Sequence, residues 1–174
     1  MALSKIKSGS IAIGVGGKVL QVKQALSNAK AIKSSNTFVD SELFTGVTFD
    51  SNLQSNSKVF ATIEATIGEE NSGSWALPCE LTLYEGSSNI GNNANSGICG
   101  SISVINGNSG QDVYAMERVY GSILYTPSTT NPSYKLYIKS AVTAFNRVVG
   151  SSYSSGNSAY VTGGTRITLM EISA

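Results

Sequence analysis

The sequence predicts an all-β protein, a single jelly-roll-like β-sandwich of about eight strands with a short extended N-terminal arm. Apolar and polar residues alternate over short runs, which is the pattern of strands with one buried face. Clusters of Gly, Asn and Ser separate these runs at intervals of about 8–20 residues, a spacing that favours a sandwich. The chain has 174 residues, so we expect one domain, since domains mostly span ~100–200 residues.

The N-terminal segment 1–16 differs from the rest of the chain and defines the arm, and the sandwich domain spans 17–174. The arm has isolated apolar residues between glycines, so it cannot form a core of its own, but it can lie extended on a partner. The residues that we expect to dock are Lys5, Ile6, Lys7, Ile11 and Ile13.

The sandwich domain divides into runs with strand periodicity. The clearest is Lys58–Ile67, in which Val59 and the following odd-numbered residues face one side of the predicted sheet and Phe60 and the other even-numbered residues face the opposite side. The other predicted strands are Lys18–Gln24, Thr37–Phe49 with a break near Gly46, Cys79–Leu83, Ile98–Val104, Val113–Tyr125, Tyr134–Lys139 and Thr165–Ile172. For Val22–Ile32, which is rich in Ala, Lys and Gln, we expect a strand followed by a loop rather than a helix.

Charge is distributed unevenly along the chain. Residues 1–39 contain six lysines and no carboxylate, a charge of +6, and the remaining residues carry 6 − 11 = −5. A basic segment on an acidic body suggests docking onto an acidic partner, although an exposed terminus that simply collects lysines is equally consistent. No run approaches the ~20 apolar residues that span a bilayer, and basic residues do not interleave with aromatic ones. We therefore expect a soluble protein with neither a membrane nor a nucleic acid as its partner.

Cys79 and Cys99 are the only cysteines. The N-terminus lacks an apolar run of signal-peptide length, so we expect assembly in a reducing cytoplasm. In that compartment two buried thiols are favoured over a disulfide. The sequence separation of the two residues also suits facing positions on neighbouring strands, so a disulfide between them is kept as the alternative.

The residues needed for most catalytic chemistry are missing. Histidine is absent, which removes Ser-His and Cys-His nucleophile activation and His-ligated zinc. The glycine-rich stretch Gly14–Lys18 fails the phosphate-loop pattern, because Ala12 and Val19 stand where Gly and Ser or Thr are required. A glycosidase-like carboxylate pair is the remaining route, and eleven carboxylates on a sandwich give some such pair by chance. The sequence thus predicts a protein that is not an enzyme and has no cofactor or metal.

Three aromatic residues are candidates for recognition. Trp75 follows the polar loop Glu69–Ser74, and Tyr153 and Tyr160 flank a loop rich in Ser, Gly and Asn. Tyrosine among such residues is typical of adaptable recognition loops, and tryptophan suits an interface anchor or a sugar-stacking platform. Alternatively, Trp75 caps the core and the tyrosines pack on the sheet with their hydroxyls in water.

Short segments of the chain carry a resemblance to a known group of proteins. They are Gly17–Val22 (GKVLQV), Ser57–Val59 (SKV), Asn89–Gly91 (NIG) and Gly163–Ile172 (GGTRITLMEI). In this order they resemble small virion surface proteins of tailed bacteriophages, especially phages of marine bacteria, over residues 17–174. The resemblance implies a jelly-roll-like sandwich, often a homotrimer, that decorates a capsid or forms a fibre or its tip and has no enzymatic activity.

We therefore expect a structural protein located in the virion, a capsid decoration or short fibre protein docked by its arm to other virion proteins of the capsid or tail. The alternative is a receptor- or glycan-binding tip of a tail fibre, whose partner is a host surface glycan. The short arm, with no coiled coil or repeat shaft, favours the first hypothesis.

Overall fold

The computed structural model describes residues 17–69, 77–91, 97–103, 116–140, 147–150, 153–155, 158–160 and 164–174. In these ranges there is no helix, and hence no helix that could span a membrane. The strands are β1 (Val19–Ser27), β2 (Lys30–Lys33), β3 (Val39–Asp40), β4 (Val47–Thr48), β5 (Lys58–Glu69), β6 (Leu77–Glu85), β7 (Ser88–Asn89), β8 (Cys99–Ser103), β9 (Met116–Tyr125), β10 (Ser133–Ser140), β11 (Arg147–Gly150), β12 (Tyr153–Ser155), β13 (Ser158–Tyr160) and β14 (Thr165–Ile172). The expectation of an all-β fold is confirmed.

The first sheet is four strands wide, in the antiparallel order β1–β14–β5–β9. Where β14 ends its pairing with β5, β11 takes over on the same side of β5 at Ile67–Glu69. In the same way β2 extends the edge formed by β1 by pairing with β11. The C-terminal strand β14 therefore lies inside the sheet, and its alternation of Ile and Leu with polar residues matches one buried and one outward side.

The second sheet is built on the antiparallel pair β10 and β6. The short strands β3 and β4 pair with the free side of β10, and β7 and β8 pair with the free side of β6. Its order is thus β3 and β4, then β10, then β6, then β7 and β8.

The strand order identifies the sandwich as a jelly roll. Two strands that follow each other along the same line of a sheet are counted as one position. These are β1 with β2, β3 with β4, β7 with β8, and β11 with β14. The eight positions, numbered along the chain, then run 1-8-3-6 in the first sheet and 2-7-4-5 in the second. Two interlocked Greek keys of this kind define a jelly roll, so the predicted architecture is confirmed.

The core lies between the inward sides of the two sheets. Odd-numbered residues of β5, from Val59 to Ile67, are fully or almost fully buried, as the alternation predicts. They form one cluster with Leu81 and Leu83 of β6, Leu136 and Ile138 of β10, and Ile167 and Leu169 of β14. Burial of such side chains contributes about 1.5–3 kcal/mol each, so this cluster holds the two sheets together.

Three expectations about local structure are wrong. Within Thr37–Phe49 only β3 and β4 pair with β10, because the chain turns between them: Glu42 has φ 63° and its amide donates to Asp40 Oδ1 at 2.8 Å. The loop expected up to Ile32 contains strand β2, which buries Ala31. The loop expected between Tyr153 and Tyr160 is mostly strand, because β12 and β13 pair with each other there.

Candidate interaction surface

The side of the first sheet that faces away from the core, called the outer face here, has an unusual number of exposed apolar groups. The side chains described in the structure include six large apolar residues that are between 37% and 66% exposed. They are Val19, Val22, Leu26, Ile32, Tyr120 and Leu124. The strand register assigns all six to the outer face.

An apolar row crosses all four strands of the outer face. It consists of Val22 on β1, Met170 on β14, Phe60 on β5 and Leu124 on β9, each directly opposite the next. Directly opposed side chains lie ~4.5–5.5 Å apart at Cβ, so the row is a continuous ridge. Its two ends are about half exposed, and Met170 and Phe60 between them are partly buried.

The next row along the strands consists of polar side chains, three of which are short hydroxyl residues. Gln24, Thr168, Thr62 and Ser122 face outward there, and Gln24 Nε2 donates to Thr168 Oγ1 at 3.1 Å. Small hydroxyl residues keep this part of the outer face low, so a partner can approach the sheet closely.

A charged cluster lies one row further on, between Leu26 and Tyr120. Glu64 on β5 is held by two arginines from the neighbouring strands: Arg118 Nη2 is 2.7 Å from Glu64 Oε1, and Arg166 Nη1 is 3.2 Å from Glu64 Oε2. The hydrogen bond from Arg118 outweighs desolvation and, with the charges of both arginines, lowers the pKa of the Glu64 carboxyl below its ordinary value. The cluster stays ionised at neutral pH and has a net charge of +1.

The outer face has the properties of a protein interface. Contiguous exposed apolar area bordered by polar groups marks interaction surfaces, and arginine is enriched in such surfaces. No group of three or more acidic or cysteine side chains that could hold a metal ion occurs among the described residues.

Of the docking and recognition residues singled out from the sequence, the structure describes only Tyr153 and Tyr160. The docking residues Lys5, Ile6, Lys7, Ile11 and Ile13, and also Trp75, lie outside the described residues. Tyr153 and Tyr160 are brought together, because they are opposite each other in the β12–β13 ribbon. This ribbon is part of the segment between β11 and β14.

The basic segment is partly neutralised by the body of the protein. Lys23 Nζ is 2.5 Å from Asp50 Oδ1, and Lys33 Nζ is 2.9 Å from Glu42 Oε1. These two lysines of the first 39 residues are therefore engaged within the chain, which limits the charge that is left for a partner.

The outer face was not predicted from the sequence. Its one signal was the outward position of Phe60 in the strand Lys58–Ile67, since a large aromatic residue is unexpected on a solvated side of a strand. The pairing of Phe60 with Met170 and Leu124 depends on which strands become neighbours, and that information is not local.

Comparisons with known proteins assign no family to this chain. No family model matches it, and no curated protein sequence matches it either. Among solved structures, Eiger TNF from S. frugiperda is similar over 90% of this chain and 96% of its own, with 9% sequence identity and a TM-score of 0.45. Dimeric latent PorU from Porphyromonas gingivalis is similar over 92% of this chain but 14% of its own, with 10% identity and a TM-score of 0.42. Neither likeness supports an inference about function.

Proposed function

We propose that this chain is a non-enzymatic structural protein of a bacteriophage particle. It assembles with copies of itself through the outer face and is displayed on the particle surface as a capsid decoration or short fibre. The observation that carries the proposal is the concentration of six exposed apolar side chains on the outer face. The phage assignment itself rests on the resemblance in the segments Gly17–Val22, Ser57–Val59, Asn89–Gly91 and Gly163–Ile172.

Self-assembly accounts for the outer face better than an isolated chain does. Covering a half-exposed Leu or Val contributes roughly 1 kcal/mol, half the value for complete burial. Several such contributions are needed to offset the cost of association, about 4–15 kcal/mol. The apolar row and the residues around it supply them together. Oligomers of one chain mostly close with rotational symmetry, and we propose the homotrimer that the resemblance implies.

The N-terminal arm is proposed to dock the oligomer onto another virion protein. Lys23 and Lys33 are paired within the body, and we assign the contacts with an acidic capsid or tail protein to Lys5 and Lys7, the two lysines of the arm. Burial of Ile6, Ile11 and Ile13 adds apolar contacts, and several arms on one oligomer act together through avidity.

Docking is tested by binding to purified particles. We expect the full chain to bind and a variant that lacks residues 1–16 not to bind, because the contacts of the arm are lost. Lys5→Gln with Lys7→Gln should weaken binding, and the matched control Lys135→Gln, a lysine on strand β10 of the second sheet, should not. Unchanged binding after removal of residues 1–16 would refute the docking role and leave the proposal of self-assembly intact.

A receptor- or glycan-binding tip is the second candidate. The pairing of Tyr153 with Tyr160 favours it, since two tyrosines meet on a ribbon next to Ser, Gly and Asn. This candidate predicts that the chain adheres to host cells and that Tyr153→Ala with Tyr160→Ala abolishes adherence. Binding to particles without adherence to cells would exclude it.

A further inference from the structure

A small polar cavity, called the end pocket here, opens at the end of the sandwich where β5 begins and β9 ends. Two loops line it, residues 53–57 and residues 126–130, and its volume is about 190 Å3. None of these residues belongs to the outer face, to the arm or to the β12–β13 ribbon.

Each loop is anchored by a buried glutamate. Glu171 Oε1 accepts a hydrogen bond from the backbone amide of Gln54 at 2.6 Å. Glu85 Oε1 accepts hydrogen bonds from the Ser128 amide at 3.0 Å and from the Ser128 hydroxyl at 2.9 Å. Both glutamates are buried, where hydrogen bonds to an ionised carboxylate are about twice as strong as neutral ones.

The two loops are also joined to each other. The amide of Leu53 donates to the carbonyl oxygen of Thr130 at 2.7 Å. Loop 53–57 contains a turn in which Asn56 has φ 65° and the amide of Ser57 donates to the carbonyl oxygen of Gln54. The walls of the end pocket are therefore ordered without a ligand, which lowers the entropic cost of binding one.

The chemistry of the lining favours a neutral ligand with many hydroxyl groups. None of the lining residues has an ionisable side chain; they provide hydroxyls such as Thr126, carboxamides such as Asn56 and the apolar ring of Pro127. Hydroxyl and carboxamide groups both donate and accept hydrogen bonds. The negative charges of Glu85 and Glu171 behind the loops repel an anion.

The size of the end pocket limits the ligand to one small ring. Pockets for drug-sized ligands measure ~300–1,000 Å3, and the end pocket, at about 190 Å3, is smaller than these. A ligand with several hydroxyl groups leaves few polar groups of the lining unpaired. We propose that the end pocket binds one neutral pyranose sugar. This inference is independent of self-assembly and of the phage assignment, because the isolated chain is sufficient to test it.

Ligand-observed saturation-transfer NMR on the full chain tests the proposal, with glucose, galactose, mannose and N-acetylglucosamine as probes. We expect saturable binding of at least one of them, and no comparable binding of glucuronic acid, whose carboxylate the buried glutamates repel. Asn56→Gly with Thr126→Val should weaken that binding about tenfold, which corresponds to ~1.4 kcal/mol. Glycine tolerates the positive φ of Asn56, and valine keeps the shape of threonine.

The matched control is Thr48→Val, an exposed threonine outside the end pocket, which should leave sugar binding unchanged. Thermal unfolding of each variant checks that it is folded, and Thr126→Val alone serves as the test if the double variant is not. The proposal fails if none of the four sugars binds saturably, if glucuronic acid binds equally well, or if the pocket variants bind like the unmodified chain.

Discussion

At the scale of single residues, Glu171 shows how the fold depends on a buried charge. Burial alone would raise the pKa of the Glu171 carboxyl, but hydrogen bonds from the Gln54 amide and the Gln21 side chain lower it below the ordinary value. A carboxyl whose pKa is lowered on folding stabilises the protein above its ordinary pKa, and this contribution is lost as the pH falls through the lowered value.

We therefore expect Glu171→Gln to destabilise the protein by about 1–3 kcal/mol at neutral pH, because a buried hydrogen-bond donor loses its acceptor. Urea unfolding measures the difference. It should shrink as the pH falls below ~4, where the unmodified carboxyl takes up a proton. The control Glu42→Gln removes an exposed ion pair with Lys33 and should change stability by less than ~1 kcal/mol. A difference that is the same at pH ~3 and at pH ~7 would contradict the role of the charge.

The positions of Cys79 and Cys99 determine whether the two thiols can form a disulfide. Cys79 is opposite Ser101 and Cys99 is opposite Leu81, so the cysteines are diagonal neighbours on β6 and β8. Diagonal pairs are ~7–8 Å apart, beyond the usual Cα separation of ~4.4–6.8 Å in a disulfide, and the two described cysteines are not joined by one. Burial raises the pKa of the Cys99 thiol to about 12.

Both thiols should consequently resist iodoacetamide at pH ~8 in the folded protein, because Cys79 is buried and the reactive thiolate of Cys99 is scarce. Mass spectrometry should detect two modified cysteines per chain only after unfolding in urea. Rapid modification of the folded protein would contradict the burial of the thiols, and a disulfide in the purified chain would contradict the register between β6 and β8.

At the scale of elements, β9 closes the sandwich where it meets the chain before β8. A Cβ atom at Gly121 would lie 2.5 Å from Cys99 Cβ and 2.6 Å from the Ile98 carbonyl oxygen. The edges of the two sheets can approach this closely only because residue 121 has no side chain.

Gly121→Ala should therefore destabilise the protein by about 1–3 kcal/mol, the usual cost of overpacking. Ser122→Ala, the next residue on β9 with an exposed side chain, is the control and should change the free energy of unfolding by less than ~0.5 kcal/mol. Equal urea midpoints for the two variants would contradict the close approach of the sheet edges.

The elements also show what sequence periodicity can predict. Strand β14 has the predicted bounds, and Lys58–Ile67 and Cys79–Leu83 lie within β5 and β6, because each buries alternate residues against the opposite sheet. The prediction of a strand over Thr37–Phe49 was wrong. The hydrogen bond to the Asp40 side chain and the positive φ of Glu42 form a turn there, which overrides the strand propensity of the Val, Phe and Thr residues.

The interaction surface was beyond prediction for a different reason. Periodicity assigns Phe60 to the outward side of a strand, but it does not tell which residues of other strands stand next to it. Val22, Met170 and Leu124 are between 38 and 110 positions away from Phe60 along the chain, and only the sheet order brings them together.

At the scale of the whole molecule, the two sheets have different roles. Their inward sides form one core, whereas the outer face of the first sheet exposes apolar groups that the folded chain does not cover. A protein with only 13% charged residues, compared with ~25% in ordinary domains, has few charges to keep such a face solvated. Self-assembly through the outer face therefore explains composition and structure together.

The most direct test is the mass of the full chain in solution, measured by sedimentation velocity over a range of concentrations. We expect the unmodified chain to have the mass of a trimer. Leu124→Asp should have the mass of a monomer, because a carboxylate on the apolar row would have to be buried unpaired in the trimer interface. Leu124 is exposed in the single chain, so the substitution should not destabilise the fold of the monomer. The control is Leu124→Asn, which has a similar shape but no charge. As monomers, the two variants should unfold at the same temperature. Asn131→Asp adds the same charge to a loop off the outer face and should stay assembled. A monomeric unmodified chain, or a Leu124→Asp variant of unchanged mass, would contradict self-assembly through the outer face.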